Sequence, residues 1–140
     1  MSSRLVLADT SAWISHLTGQ GQRASAAMGE LLRAHRVAVN EIIRLEVLTG
    51  AKDEAQYAEL DDGLRGVHLL PISGAVWGRA ERLRLELRRR GHLVPVPDAL
   101  IASCALLYDC EVLHADRHFD MMARLTPLRI HRASDPLRNL

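Results

Sequence analysis

The chain alternates between two kinds of pattern. Short, mainly apolar runs occur at residues 5–8, 37–39, 67–72, 111–114 and 128–130. Runs this short, without polar alternation, predict strands covered on both faces, as parallel sheets require. Between them lie segments whose apolar residues recur at helical spacing. The clearest is 23–35, with a stripe of Ala24, Ala27, Met28, Leu31 and Leu32. Others cover 12–17, 41–49, 54–64, 74–90 and 98–109, and a short one holds Phe119, Met122 and Leu125. Thr10 and Ser11, Asn40 and Ser73 stand where helix N-caps are expected, and Gly50 stands where a helix closes. The 98–109 helix is apolar nearly all round, which predicts a buried, central helix. Residues 91–97 read as a loop stiffened by Pro95 and Pro97, and 131–140 as a frayed tail. Strands alternating with helices over 140 residues predict one α/β domain spanning 1–140. Its expected architecture is a three-layer α/β/α sandwich around a mainly parallel, five-stranded sheet.

Composition narrows the class. No apolar run reaches about 18 residues and no export signal is recognisable, so a cytoplasmic protein without membrane spans is expected. The only cysteines, Cys104 and Cys110, form no CxxC motif. They are expected as small core thiols rather than as a disulfide or zinc site. A formal net charge of +1 gives no general argument for nucleic acid. The positive charge is uneven, however, with Arg79, Arg82, Arg84, Arg88, Arg89 and Arg90 crowded onto one helix. Of these, Arg79, Arg82 and Arg89 are the candidates for RNA backbone contact, although a solvated helix face explains the cluster equally well.

The residues that can carry chemistry are acids at the ends of these elements. Asp9 closes the first strand, and Asp116 repeats that pattern after the fourth. Carboxylates at the C-terminal ends of parallel strands lie where open α/β sheets bind ligands. Asp98 opens the 98–109 helix, a position that the helix dipole alone would favour. Glu46 stands apart. At about 100° per residue it falls within the apolar arc of Ile42, Ile43, Leu45 and Val47, which predicts a carboxylate on a buried face. An unpaired charge there is costly, so Glu46 needs a buried cation, an escape past the edge of the arc, or a functional role.

Gathered in one cleft, four carboxylates at ~5 Å and an effective dielectric of about 20 would repel by on the order of 3 kcal/mol per pair. Such a cluster binds protons or divalent cations. A shell of carboxylate oxygens without Cys or His selects Mg²⁺ or Mn²⁺, ions that commonly accompany phosphate chemistry. Two of them can activate a water and stabilise the leaving oxygen of an in-line displacement at phosphorus. If the acids converge, a metal-dependent phosphodiester-cleaving site is expected.

Four blocks occur in order: Asp9-Thr10-Ser11, Glu46-Val47-Leu48-Thr49-Gly50, Asp98-Ala99-Leu100-Ile101-Ala102 and Asp116-Arg117-His118-Phe119. Together they resemble the signature blocks of the PIN domain, and at this length those of the VapC toxins of bacterial toxin–antitoxin pairs. The resemblance runs from about Leu5 to Ile130. It implies a Mg²⁺- or Mn²⁺-dependent endoribonuclease on a five-stranded parallel sheet, a homodimer, and inhibition by a cognate VapB-type antitoxin. Asp9, Glu46, Asp98 and Asp116 match the family's catalytic acids, with Glu46 reaching the metal directly or through a water. Ser11 matches the family's hydroxyl, and Asp120, one helical turn after Asp116, is an additional candidate ligand.

Other readings start from the same residues. A PIN nuclease for RNA processing without an antitoxin, or a silent module that binds RNA or protein, would keep the fold; intact acids argue against the silent module. Receiver and haloacid-phosphatase readings fail, because Asp9 has no acid two residues on and Lys52 is the only lysine. Trp13 is expected to pack beside the first helix rather than stack on a base. His92 and His118 are possible substrate contacts with no further support from spacing.

Overall fold

The computed structural model describes residues 4–19, 22–115 and 117–134. Strands β1 (Val6–Ala8), β2 (Val37–Val39), β3 (His68–Leu69), β4 (Glu111–Leu113) and β5 (Arg129–Ile130) form one parallel sheet in the order β3-β2-β1-β4-β5. Helices α1 (Thr10–Thr18) and α2 (Gln22–Arg33) connect β1 to β2, and α3 (Glu41–Thr49) and α4 (Glu54–Arg65) connect β2 to β3. Helices α5 (Gly74–Arg89) and α6 (Val96–Leu107) return the chain to β4, and α7 (Arg117–Leu125) leads to β5. Parallel strands take right-handed crossovers, so the two directions of travel place helices on opposite faces. The result is the expected three-layer α/β/α sandwich.

Burial follows the pattern of the apolar runs. Val6, Leu7 and Ala8 are inaccessible, as the central strand of a covered sheet must be. Helix α6 buries seven consecutive residues from Ala99 to Ala105, as its all-round apolar surface predicts. Cys104 and Cys110 are both buried thiols, and Trp13 is 6% exposed, packed as expected.

Four details differ from the sequence reading. The N-cap of α1 is Asp9, whose carboxylate accepts from the Ala12 N–H, so Thr10 and Ser11 belong to the first turn. The β3 strand is cut to two residues with one further ladder bond, Leu70 N–H to Val39 C=O at 2.8 Å; Pro71 has no N–H to extend it. Helix α6 begins at Val96, because prolines suit a first turn whose N–H groups lack helical partners. Asp98 is therefore the third residue of the helix. Lastly, the start of the expected frayed tail is tied down. His131 N–H donates to Val112 C=O at 2.8 Å, and Ser134 is 6% exposed. Residues 135–140 lie outside the described residues.

Candidate active site

The strand order reverses between β1 and β4, and the crevice beyond their C-terminal ends is where such sheets hold ligands. Asp9 enters it directly from β1. Its N–H donates to Leu113 C=O at 3.1 Å, one rung beyond the β1–β4 pairing. Its Oδ1 accepts from the Ala12 N–H at 3.1 Å and the Ser11 hydroxyl at 2.6 Å, and the residue is 4% exposed. The same Ser11 oxygen accepts the Ala115 N–H at 2.8 Å. One hydroxyl thus orients the Asp9 carboxylate and fastens the turn after β1 to the turn after β4.

Glu46 joins this edge from α3, but not by the route its position in the apolar arc predicted. The buried residues of α3 are Ile43, Val47 and Leu48, while Leu45 is 59% exposed and Glu46 is exposed beside it. The true buried stripe is i, i+4, i+5, and Glu46 stands on its flank toward α1. There the Thr10 hydroxyl donates to its Oε1 at 2.6 Å. Solvent and a hydroxyl, rather than a buried cation, satisfy this carboxylate.

Asp98 projects from the first turn of α6 with its side chain 15% exposed. His118 Nδ1, in the first turn of α7, lies 3.0 Å from Asp98 Oδ2. Beside it, Asp120 Oδ1 lies 3.2 Å from Nε2 of His114, a ring with no accessible surface. Asp116 lies outside the described residues. Among the described residues, no group of three or more His, Cys, Asp and Glu gathers closely enough to hold a metal ion. The donor chemistry nevertheless fits a hard divalent cation: Asp9, Glu46 and Asp98 offer carboxylate oxygens. Arg79, Arg82 and Arg89 are exposed on α5, and Arg82 approaches Glu86 at 4.0 Å rather than any acid of the crevice.

Sequence reasoning missed Thr10 as the partner of Glu46 and His118 as the partner of Asp98. Neither spacing carries a periodic signal, since one contact spans 36 residues and the other joins two different helices. His114 was also missed; as the last residue of an expected strand it had no mark of a polar contact.

Residues 6–125 match the PIN domain family. This chain belongs to that family. The PIN domain here is 33% identical over 129 residues to VapC ribonuclease Mb1587 of Mycobacterium bovis, covering 89% of this chain and 96% of the relative. It is 30% identical over 122 residues to ribonuclease VapC18 of Mycobacterium tuberculosis, covering 84% of this chain and 87% of that protein. Among solved structures, it resembles the toxin–antitoxin complex from Klebsiella pneumoniae, with 27% identity, a TM-score of 0.65, and 77% and 83% of the two chains covered. The VapBC-5 complex of Mycobacterium tuberculosis matches at 24% identity and a TM-score of 0.66, over 94% of this PIN domain and 99% of that chain. At that identity the likeness speaks for the fold alone.

Proposed function

We propose that this PIN domain is the endoribonuclease toxin of a toxin–antitoxin pair. On this reading it hydrolyses RNA phosphodiesters with Mg²⁺ or Mn²⁺ held by Asp9, Asp98 and Asp116, and by Glu46 directly or through a water. The observation that carries the reading is the Ser11 hydroxyl, bonded both to Asp9 Oδ1 and to the N–H of Ala115, the residue before Asp116. Relatives named as VapC ribonucleases support the activity, and the toxin–antitoxin complex from Klebsiella pneumoniae, at 27% identity, supports a VapB-type antitoxin as partner.

The chain's own residues have separable tasks. Asp9 presents a buried carboxylate with Oδ1 held by Ser11 and Ala12, so its orientation is fixed before any ligand arrives. Thr10 holds one oxygen of Glu46 by a hydrogen bond, and the His118 ring lies 3.0 Å from one oxygen of Asp98. Such outer contacts turn carboxylates toward a cation. The chemistry a divalent ion supplies in such a site is activation of water and neutralisation of charge on the phosphate oxygens. With water as the attacking group, the products are 5′-phosphate and 3′-hydroxyl ends. A cytoplasmic homodimer is part of the same proposal. Trp77, Leu85, Leu93 and Val96 leave an exposed apolar patch on α5, the connection after it and the start of α6 that suits a second copy.

The test is cleavage of total bacterial RNA by the purified protein with Mg²⁺ or Mn²⁺, followed by end mapping. Cyclic 2′,3′-phosphate ends, or full activity in EDTA, would exclude water activated by a metal ion. Growth arrest on expression, relieved by co-expressing a neighbouring small gene, tests the toxin reading. Equal growth of wild type and Asp9→Asn without an antitoxin counts against it.

A further inference from the structure

A groove of about 590 Å³ runs along one face of α2 and is closed on its far side by the segment leaving β5. Arg23 stands at its α2 N-terminal end, Arg36 just beyond the helix C-terminus, and Arg132 on the opposite wall. From Arg23 to Ala34 the helix wall is about 17 Å long at roughly 1.5 Å per residue. Three of the groove's remaining positions on this wall are alanines, Ala26, Ala27 and Ala34, so short side chains leave room between the arginines.

Charge in this groove is unbalanced. Among the described residues, none of Arg23, Arg36 and Arg132 has a carboxylate within 4.0 Å. Arg23 donates to the Arg132 carbonyl and Arg36 Nε to the Arg4 carbonyl at 2.9 Å, bonds that aim these side chains without neutralising them. Glu30 is the lone acid among the described residues of the walls. His131 also lines the groove, and its Nδ1 accepts from the Ala133 N–H at 3.1 Å, which leaves its ring N–H on Nε2 as a further donor. In a chain whose formal net charge is +1, three arginines against one glutamate is a local excess.

The groove also leads to the crevice. Two residues after Arg132, Ser134 Oγ accepts the N–H of His114 at 3.1 Å, and Ala115 next in sequence is bound to Ser11. We propose that this groove is a track for the phosphate backbone of single-stranded RNA leaving the acid crevice, with Arg23, Arg36 and Arg132 neutralising its phosphates. The proposal rests on the ribonuclease reading. Among the described residues, no Phe, Tyr or Trp lines the groove, so it reads backbone charge rather than base identity.

The experiment uses the full chain carrying Asp9→Asn, which binds without cutting, and a 40-nucleotide single-stranded RNA in a salt titration. Adding Arg23→Gln and Arg132→Gln should weaken binding roughly tenfold near 100 mM salt and reduce the salt slope by about 0.7 for each phosphate left without its arginine. Arg132→Lys, which keeps the charge, should retain most of the affinity. Unchanged affinity and slope in the Gln variants, while wild type cleaves RNA, overturns the track and leaves the nuclease reading intact. Failure of wild type to cleave any RNA instead removes the reading beneath it. An equal loss in the Lys and Gln variants together with a lowered Tm would assign the arginines to the fold. Loss of antitoxin binding with RNA binding intact would assign the groove to an acidic protein partner; either result overturns the proposal.

Discussion

His118 Nδ1 lies 3.0 Å from Asp98 Oδ2, which ties the first turn of α7 to the first turn of α6. Two helices on one face of the sheet thereby converge on a single carboxylate. Outer contacts of this kind typically change metal affinity by 10–100-fold when removed. His118→Ala should therefore raise the Mg²⁺ concentration for half-maximal cleavage by about tenfold or more, with a smaller effect on kcat at saturating Mg²⁺. An unchanged Mg²⁺ dependence would show that His118 does not position Asp98 for a cation.

Asp9→Asn keeps an oxygen for both the Ser11 hydroxyl and the Ala12 N–H, so the turn should survive while the charge is lost. Cleavage should be abolished. In EDTA the variant should melt no lower than wild type, because a charge on a residue only 4% exposed is removed while both hydrogen bonds are kept. Added Mg²⁺ should raise the Tm of wild type by mass action and do little for the variant. Equal Mg²⁺-induced shifts would remove Asp9 from the ligand set.

Ser11 and Thr10 separate stability from activity. Ser11→Ala deprives the Ala115 N–H of its partner, a loss of about 1–3 kcal/mol on unfolding in urea. Thr10→Val releases an exposed glutamate that water can solvate, so its stability should change by about 0.5 kcal/mol or less. Both variants should cut RNA more slowly. A stability loss in Thr10→Val matching that of Ser11→Ala would contradict the difference in burial.

His131 sets a pH dependence of known sign. Burial holds its imidazole below the ordinary 6.5; Glu111 opposes this, and the charges of Arg36 and Arg132 add to it. Well above pH 6.5 the ring is neutral in both folded and unfolded chains and contributes nothing. As the pH falls below that value the unfolded chain takes up the proton first, so stability declines until the lowered folded value is passed. In His131→Asn, whose side-chain oxygen can still accept from Ala133, the loss between pH 7.5 and 5 should shrink. Identical losses in urea melts of both proteins would argue against it.

Burial pushes the Cys110 thiol up to about 11, with the neighbouring Cys104 and Asp109 adding to the shift against Arg4. Burial raises Cys104 as well. Neither should react with a thiol reagent at pH 8 in the native protein, and both should react once it is unfolded. Prompt native labelling of either would contradict its burial.

Much of this fold was legible in the apolar runs, because a short parallel strand must be apolar on both faces; β1 and β2 obey that rule throughout, and β4 does after Glu111. Boundaries were less legible. Pro97 looks like a loop residue in sequence, yet it stands second in α6, in a first turn that tolerates proline where an interior turn would not. Glu46 was identified as a site residue through a wrong face: a nine-residue helix offers too few turns to separate the stripe through Ile43 and Val47 from one rotated toward Leu45. Thr10 and His118 could not be read at all, since their contacts exist only after distant segments pack. Asp9 needed no such packing, because its strand, turn and helix are contiguous.

The central place of β1 has a consequence for timing during synthesis. One of its two neighbours, β2, is made within the first 39 residues, but the other, β4, is not complete until residue 113. The Asp9 N–H meets the Leu113 carbonyl, and Ser11 meets Ala115, only after that. A nascent chain still emerging from the ribosome therefore holds its earliest carboxylate without the wall that orients it. The finished crevice exists only once residue 115 has emerged and packed beside residue 11.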